Sequence, residues 1–178
     1  CLFFSFRPPG QQRFRNQMTW LKHRIYVGQL LDSYQAGTVV SEQEAALVRQ
    51  SYPQRNSIKV IPNCVDLVEY GAFHTAPIPQ QMIFTGSFRY QPNYHAMRWF
   101  VDHVLPIVLT TYPDAQLIIT GDPAGKDLSM IPNVTQTGLV DDIRPWVAQS
   151  WISLSPIHSG GGTRLKILEA MGLKSAVV

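Results

Sequence analysis

The sequence has 178 residues, of which 45% are hydrophobic and 15% charged, with a formal net charge of +3. So few charged residues indicate a chain that can bury a substantial core, which excludes the disordered class. The small net charge and the lack of any basic run of five or more residues give no argument for a nucleic-acid partner, and we expect none; such modest basicity suits a small anionic ligand equally well. Two cysteines, Cys1 and Cys64, form neither a disulfide framework nor a metal-ligand spacing, and they favour a reducing compartment.

Both ends of the sequence suggest a piece of a longer protein. There is no initiating Met, and the chain stops in an apolar run, SAVV at 175–178, with no turn after it. We therefore expect a fragment rather than a complete protein.

Residues 20–61 predict the end of an α/β layer. Apolar residues at helical and strand spacing predict helices at 20–36 and 41–51 and strands at 38–40 and 58–61. Ser41 followed three residues later by Glu44 is the spacing of a capping box, which marks the start of the second helix.

We assign residues 1–66 to a first domain, 67–79 to a linker and 80–178 to a second domain. The linker loses periodicity and finishes with Pro77 and Pro79, although a long loop inside one domain remains an alternative. Beyond it, strands are predicted at 82–85, 116–120, 134–137 and 151–157, and helices at 92–105, 141–149 and 163–171. We expect the first of these helices to break or restart at Pro106. This alternation predicts an α/β fold with doubly wound parallel sheets.

Four successive strands of the second domain end at glycine, namely at Gly86, at Gly121, at Gly138 and at the triplet 160–162. In doubly wound sheets, ligands bind beyond the carboxyl ends of the strands, where glycine lets the backbone approach a ligand closely. The four glycine ends together favour a ligand crevice, whereas Gly121 alone would be an ordinary turn residue.

The stretch SGGGTRLKILEAMG at 159–172 places Arg164 and Lys166 at the start of a predicted helix, where the backbone is already partly positive. A bound phosphate or diphosphate would satisfy both cations and the free N–H groups. Neither the P-loop pattern nor the dinucleotide fingerprint fits these glycines. Glu169 is either an acceptor for a ligand hydroxyl, such as a ribose, or a surface partner of Lys166, and the residues alone leave both open.

Several stretches occur in the order found in one enzyme family: FTGSFRYQPNYHAMRWF, LIITGDP, VTQTGLVDDIRPWVAQSWISLSP and GGGTRLKILEAMG. They resemble the donor-binding domain of family 4 (group 1) glycosyltransferases, and VVSEQEAALV and VIPNCVD resemble the end of that family's first domain. The resemblance covers about residues 20–178. It implies the GT-B fold, with two Rossmann-like domains that are both incomplete here. It also implies retaining transfer of a sugar from a nucleotide-diphosphate sugar to a hydroxyl acceptor in bacterial glycan or polysaccharide synthesis.

The resemblance also implies roles for individual residues. Glu169 matches the second glutamate of the family's E-x7-E motif and would hold the ribose, whereas Gly161 stands in place of the first glutamate, so recognition of the donor sugar differs from the usual pattern. Arg164 and Lys166 would be the catalytic cations at the departing diphosphate. His158 is a candidate sugar contact. The other donor-binding positions are Thr163, Gly162, Gly161, Gly86, Ser87, Arg89, Gly138, Leu139 and Val140.

The same resemblance implies no cofactor and no obligatory metal. The expected partners are a nucleotide-sugar donor and a glycan, lipid-linked or small-molecule hydroxyl acceptor. We expect a cytoplasmic location, with peripheral membrane association through regions outside this sequence. Acceptor contacts belong mostly to the first domain, so the fragment alone is expected to be inactive.

Two other functions and one metal site are alternatives. A sugar-nucleotide epimerase of similar architecture would hold the same diphosphate, and Gly161 also fits a nucleotide-sugar-binding domain without catalysis. The pair Asp141-Asp142 could hold a metal, but its place before a helical run favours a helix cap.

Overall fold

The computed structural model describes residues 10–54, 57–73, 75–158 and 163–178. Contacts divide the chain into two compact units. The first unit comprises residues 1–63 with 161–163, and the second comprises 64–160 with 164–178. No helix in the described residues combines the length and the hydropathy of a transmembrane span.

The described residues of the first unit form two helices and a two-stranded parallel sheet. Its elements are α1 (Gly10–Ser33), β1 (Gly37–Val39), α2 (Glu42–Ser51) and β2 (Ile58–Val60). The Ser41 hydroxyl accepts a hydrogen bond from the Glu44 N–H at 3.2 Å, and the Glu44 carboxylate accepts one from the Val40 N–H at 3.2 Å. The predicted order of elements is confirmed, with α1 beginning at Gly10 rather than at Trp20.

The second unit is a five-stranded parallel sheet covered by helices on both faces. Its elements are α3 (Leu67–Gly71), β3 (Ile78–Thr85), α4 (Gln91–Trp99), a π-helical turn (Phe100–Val104), α5 (Leu105–Thr111), β4 (Gln116–Thr120), β5 (Val134–Gly138), α6 (Arg144–Ala148), β6 (Ser150–Ser153), α7 (Leu165–Gly172) and β7 (Ala176–Val177). The strand order is β5-β4-β3-β6-β7. From β3 the chain first builds one side of the sheet and then the other, so the order reverses at β3 and β6.

Both faces of strand β3 are apolar, and helices cover both. Met82 and Phe84 belong to the larger buried cluster, which α4, the π-helical turn and α5 complete. Ile83, between them, belongs to a smaller cluster with residues of α6 and α7. A strand with two covered faces reads as a continuous apolar run rather than as an alternating one, which is what MIF at 82–84 shows.

The helical run after β3 continues past Pro106 without a loop, so of the two expectations for this proline the helix restarts and does not break. Before this proline, the Leu105 N–H bonds to the Phe100 carbonyl, five residues earlier, which is the π pattern. Pro106 then lies in the first turn of α5. Since proline lacks an N–H and the first turn of a helix does not need one, the wider π-helical turn lets the chain restart as α5 in place.

Some predicted boundaries differ from the structure. Part of the stretch predicted as the linker forms α3, and its end forms the start of β3. The Asp66 carboxylate caps α3 by accepting from the Val68 N–H at 2.8 Å and the Glu69 N–H at 3.2 Å. The contacts place the division between the units at 63/64. Strand β6 and helix α6 are shorter than predicted, and α7 begins at Leu165 rather than at Thr163.

Candidate functional site

Three strand-ending glycines meet at the carboxyl edge of the sheet. The Gly86 N–H donates to the Thr120 carbonyl at 2.9 Å, and the Gly121 N–H donates to the Gly138 carbonyl at 2.8 Å. Gly121 has φ +123°, and a β-carbon there would lie 2.7 Å from the Gly86 carbonyl group. The backbones of β3, β4 and β5 therefore end in contact, with no room for side chains between Gly86 and Gly121. The glycine triplet at 160–162 lies outside the described residues.

Lys166 lies beside this edge, in the first turn of α7. Its ammonium is 3.8 Å from the centre of the Phe84 ring and 3.4 Å from the Asn93 side-chain oxygen. A β-carbon on Gly86 would lie 3.0 Å from the same ammonium. Within the described part of the chain, Lys166 forms no salt bridge. It is thus a half-buried cation whose direct partners are an aromatic ring and a neutral amide.

The environment of Lys166 disfavours its charge. Burial is the largest cause and the neighbouring Arg164 the next, and together they lower the pKa of Lys166 to about 8, while Glu169 opposes them. A lysine with this pKa is still mostly charged at neutral pH. A negative ligand beside it would relieve the cost of burying that charge.

Arg164 occupies a different position from the one expected. It is the N-cap residue of α7, with extended backbone, and not part of the first helical turn. Its guanidinium donates to the Ile157 carbonyl at 3.0 Å. The prediction that both cations lie in the first turn was therefore wrong for Arg164, because the helix begins one residue after it. Thr163, which precedes this cap, is exposed.

The turn after β3 holds its own polar groups. The Ser87 hydroxyl accepts from the Arg89 N–H at 3.1 Å and is 3.4 Å from the Asp122 carbonyl, to which it donates. The Arg89 guanidinium is bound to the Asp122 carboxylate. The N–H of Ala124 and the Arg89 side chain lower the pKa of Asp122. Arg89 thus already has a negative partner, in contrast to Lys166.

Glu169 lies one turn further along α7 and is bound by an aromatic hydroxyl. The Tyr70 hydroxyl, from α3, donates to the Glu169 carboxylate at 3.2 Å. Burial, followed by the charge of Glu169, raises the pKa of Tyr70, so this hydroxyl stays protonated at neutral pH. Glu169 forms no salt bridge with Lys166 in the described structure, which leaves its carboxylate available beyond this one hydrogen bond.

Helix α3 is held in place by Arg144. Its guanidinium binds the Asp142 carboxylate, at 2.8 Å to one oxygen, and the Glu69 carboxylate of α3. It also lies 4.6 Å from the centre of the Phe73 ring. Asp142 in turn accepts from the Arg144 N–H at 2.9 Å. The N-cap of α6 is Ile143, without a side-chain cap bond, so the expectation that Asp141 or Asp142 caps this helix was wrong. Arg144 is the main cause of the lowered pKa of Asp142. The described residues include no group of three or more possible metal ligands.

The remaining predicted residues lie around this centre at different distances. Leu139 follows Gly138 and is 80% exposed, and Val140 is half-buried. The His158 ring packs edge-on against Trp99, at the carboxyl end of α4, with 4.8 Å between ring centres. The structure therefore brings Lys166 to Gly86 and Glu169 to Tyr70, and gives His158 an aromatic neighbour. Gly161 and Gly162 lie outside the described residues.

Two residues at the centre were missed from the sequence. Asn93 binds both Lys166 and the Ser87 carbonyl, and Tyr70 binds Glu169. Each contact joins positions far apart in the chain, and neither residue stands in a motif that marks a ligand site. The local sequence marks Asn93 only as a residue that follows Pro92, at the start of the helix predicted at 92–105.

Three solved structures resemble the chain in fold. The pneumococcal O-GlcNAc transferase GtfA, in complex with UDP and GlcNAc, has a TM-score of 0.60 and 15% identity, over 79% of this chain and 29% of its own. A mutant of S. aureus TarM, in complex with Fondaparinux, alpha-GlcNAc-glycerol and UDP, has a TM-score of 0.62 and 19% identity, over 88% of this chain and 32% of its own. WaaG, a glycosyltransferase involved in lipopolysaccharide biosynthesis, has a TM-score of 0.54 and 14% identity, over 79% of this chain and 42% of its own. The predicted doubly wound α/β fold of the GT-B type is confirmed.

The chain spans less than half the length of each of these three proteins. A search of curated proteins found no match. The sequence model of the family described as "Glycosyl transferases group 1" matches residues 79–178, which is more than half of the chain. On this match, the chain belongs to the group 1 glycosyl transferases.

Proposed function

We propose that the second unit binds the nucleotide diphosphate of a sugar donor. The protein of which it forms part would transfer that sugar, with retention, to a hydroxyl acceptor on a glycan, a lipid-linked glycan or a small molecule. The observation that carries this proposal is the position of Lys166. It is a half-buried ammonium without a salt bridge in the described structure, against Gly86, where the strand order reverses.

A diphosphate supplies what this position lacks. A buried cation is costly unless it is paired, and a phosphate oxygen in hydrogen-bond contact would pair with Lys166 and restore its usual pKa. The bare glycine edge gives such a group access to the end of β3. When the bond between sugar and diphosphate breaks, negative charge grows on the diphosphate. A cation already in place then stabilises this charge without rearrangement, an effect commonly worth several kcal/mol.

Glu169 would hold the nucleoside. Its carboxylate accepts from Tyr70 through one oxygen, which leaves acceptor capacity for a ribose hydroxyl. Gly138, Leu139 and Val140 would flank the base. UDP is the ligand named for two of the structures similar in fold, GtfA and TarM, which makes it the first nucleotide to test. We further propose that no cofactor and no obligatory metal take part.

Titration calorimetry with UDP tests the binding proposal on the 178-residue chain. We expect the wild-type chain to bind UDP, with affinity unaffected by EDTA, and Lys166→Met to weaken binding at least tenfold. Lys59→Met is the matched control, since it removes the same charge from an exposed site in β2 of the first unit. Equal affinities of the Lys166→Met and wild-type chains would contradict the proposal.

Assays of the full-length protein with labelled nucleotide sugars test the reaction. Label that appears on a hydroxyl acceptor supports transfer, and the configuration of the new bond tests retention. An epimerised donor would instead assign a sugar-nucleotide epimerase. Binding without turnover would assign a nucleotide-sugar-binding domain.

A further inference from the structure

We propose that Asn93 is a positioning residue of the donor site, whose side-chain amide ties the turn after β3 to the ammonium of Lys166 and presents that ammonium to the diphosphate. This inference rests on the proposed function for its ligand. The contact between Asn93 and Lys166 stands on the structure alone, and the two parts are tested separately below.

The geometry fixes which way the amide faces. Asn93 lies in the first turn of α4 and is 8% exposed. Its amide nitrogen donates to the Ser87 carbonyl at 2.9 Å, and its oxygen lies 3.4 Å from the Lys166 ammonium. The reversed amide would place its N–H groups against the ammonium and its oxygen against a carbonyl. Only the observed orientation satisfies both partners.

The same amide explains why the turn begins with glycine. A β-carbon on Gly86 would lie 2.6 Å from the Asn93 amide nitrogen and 3.2 Å from the carbon of that amide. Gly86 therefore makes room for Asn93, which in turn lies against Lys166. The carboxyl end of β3, the first turn of α4 and the first turn of α7 meet through this one side chain.

Asn93 does not use its side chain to cap its own helix. The N-cap of α4 is Tyr90, which makes no side-chain cap bond, and Pro92 has no N–H that would need an acceptor there. Asparagine is a common capping residue, yet both hydrogen bonds of this one serve the turn and the lysine. A purely local role at the start of α4 therefore does not account for its contacts.

A neutral acceptor suits a lysine that must bind a phosphate. Arg164 repels the Lys166 charge, and Glu169, itself bound by Tyr70, attracts it. Among the described residues of other elements, the groups that approach Lys166 are the Phe84 ring, the Gly86 backbone and the Asn93 amide. All three are uncharged. An amide oxygen orients the ammonium without neutralising it, whereas a carboxylate there would compete with the diphosphate.

The contact is tested on the ligand-free chain by measuring the pKa of Lys166, by NMR of its side-chain nitrogen as a function of pH. Asn93→Asp places a negative charge beside the ammonium and should raise this pKa by about 1–3 units. Asn93→Leu removes the acceptor and should lower it. Asn133→Asp is the control, because Asn133 also joins loops through its amide but binds the Pro113 and Ala115 carbonyls. It should leave the pKa unchanged.

UDP titration then tests the role in binding. Asn93→Asp should weaken UDP binding at pH 7 at least tenfold, although its Lys166 is more fully protonated than in the wild type. A raised pKa with lowered affinity is the opposite of what better charging of the lysine alone would give. A structural defect that exposed Lys166 would also raise this pKa, because burial is the main cause of its low value. Circular dichroism of Asn93→Asp checks for such a defect, and the lowered pKa expected in Asn93→Leu is the opposite of what exposure would give.

Each outcome is decisive. A wild-type pKa in Asn93→Asp overturns the contact, and this near-isosteric variant answers the question even where Asn93→Leu fails to fold. A shifted pKa with unchanged UDP affinity overturns the positioning role. If the wild-type chain binds no UDP while the pKa shifts appear, the donor-site function fails, and the contact between Asn93 and Lys166 remains.

Discussion

The hydroxyl of Tyr70 in α3 lies 3.2 Å from the carboxylate of Glu169 in α7, to which it donates a hydrogen bond. Helix α3 has only five residues, and its place is set by Asp66 at its start and by Arg144, which binds Glu69. A short helix near the beginning of the second unit therefore orients the carboxylate that we assign to the ribose.

Removing the Glu169 carboxylate should weaken UDP binding without unfolding the chain. For Glu169→Ala we expect a loss of roughly tenfold or more, since hydrogen bonds to charged groups contribute about 1.5–3 kcal/mol. Tyr70→Phe keeps the Glu169 carboxylate but removes the hydrogen bond that orients it, so this variant should lose less UDP affinity than Glu169→Ala. Titration calorimetry gives the affinities, and circular dichroism checks the fold. Unchanged affinity in Glu169→Ala would remove Glu169 from the site.

The affinity for UDP should fall as the pH rises through about 8, the pKa of Lys166. Below this value the lysine is charged and attracts the diphosphate, and above it the attraction is lost. A bound diphosphate raises the pKa again, so binding near pH 8–9 should take up protons. Calorimetry in buffers of different ionisation enthalpy measures this uptake. A pH profile that Lys166→Met leaves unaltered would assign the effect to another group.

Lys166→Met should make the ligand-free chain more stable at pH 7. The pKa of Lys166 is about 8 when folded against an ordinary value of 10.5, so the unfolded state binds the proton more tightly. Stability therefore rises with pH between these two values, and the full cost of the charge is present below about 8. Methionine removes that cost. Scanning calorimetry should show a higher Tm than the wild type at pH 7 and a smaller difference at pH 10, with Lys59→Met unchanged.

Gly121→Ala should disturb the carboxyl edge of the sheet. Its φ of +123° is strained for alanine, at a cost of about 1–3 kcal/mol, and the new β-carbon would lie 2.7 Å from Gly86. We expect lower stability in urea unfolding together with weaker UDP binding. Gly71→Ala, at the end of α3 and with open space around it, is the control and should be neutral or slightly stabilising. Equal effects of the two substitutions would argue against the close contact between Gly121 and Gly86.

Arg144→Leu should release α3 from the second unit. It breaks the bonds to Asp142 and Glu69 and leaves both carboxylates without their cation. Hydrogen exchange measured by mass spectrometry should show faster exchange of the α3 amides. Arg98→Leu is the comparison, since Arg98 pairs with Asp102 in an exposed pair on the helix surface and its loss should change stability by only about 0.5 kcal/mol. Protection of α3 that survives Arg144→Leu would mean that other contacts hold this helix.

The order of helices and strands was predictable because it depends on local patterns. The apolar run MIF, the glycines at the ends of β3, β4 and β5 and the Ser41–Glu44 pair all carry their information within a few residues. The exact start of a helix is less well encoded. In TRLK at 163–166 no side chain forms a cap bond, so the sequence allowed a start at Thr163, and the structure begins α7 at Leu165.

The contacts that build the candidate site were not predictable from such patterns. Lys166 and Asn93 are 73 positions apart, and Glu169 and Tyr70 are 99 apart. No hydrophobic period or turn signal links residues over these distances, because they meet only once the sheet has brought α3, α4 and α7 together. From the sequence, Glu169 could equally have paired with Lys166, and the structure gives it Tyr70 instead.

The tight approach of Gly86 and Gly121 also limits how such a protein can acquire a new donor preference. A side chain at either position would collide with a backbone, an amide or the lysine, so substitutions there damage the scaffold before they alter selectivity. The exposed Leu139 has no such restriction. Divergence of donor choice is therefore expected to proceed through the residues beyond β5, while the part that we propose to bind the diphosphate remains the same.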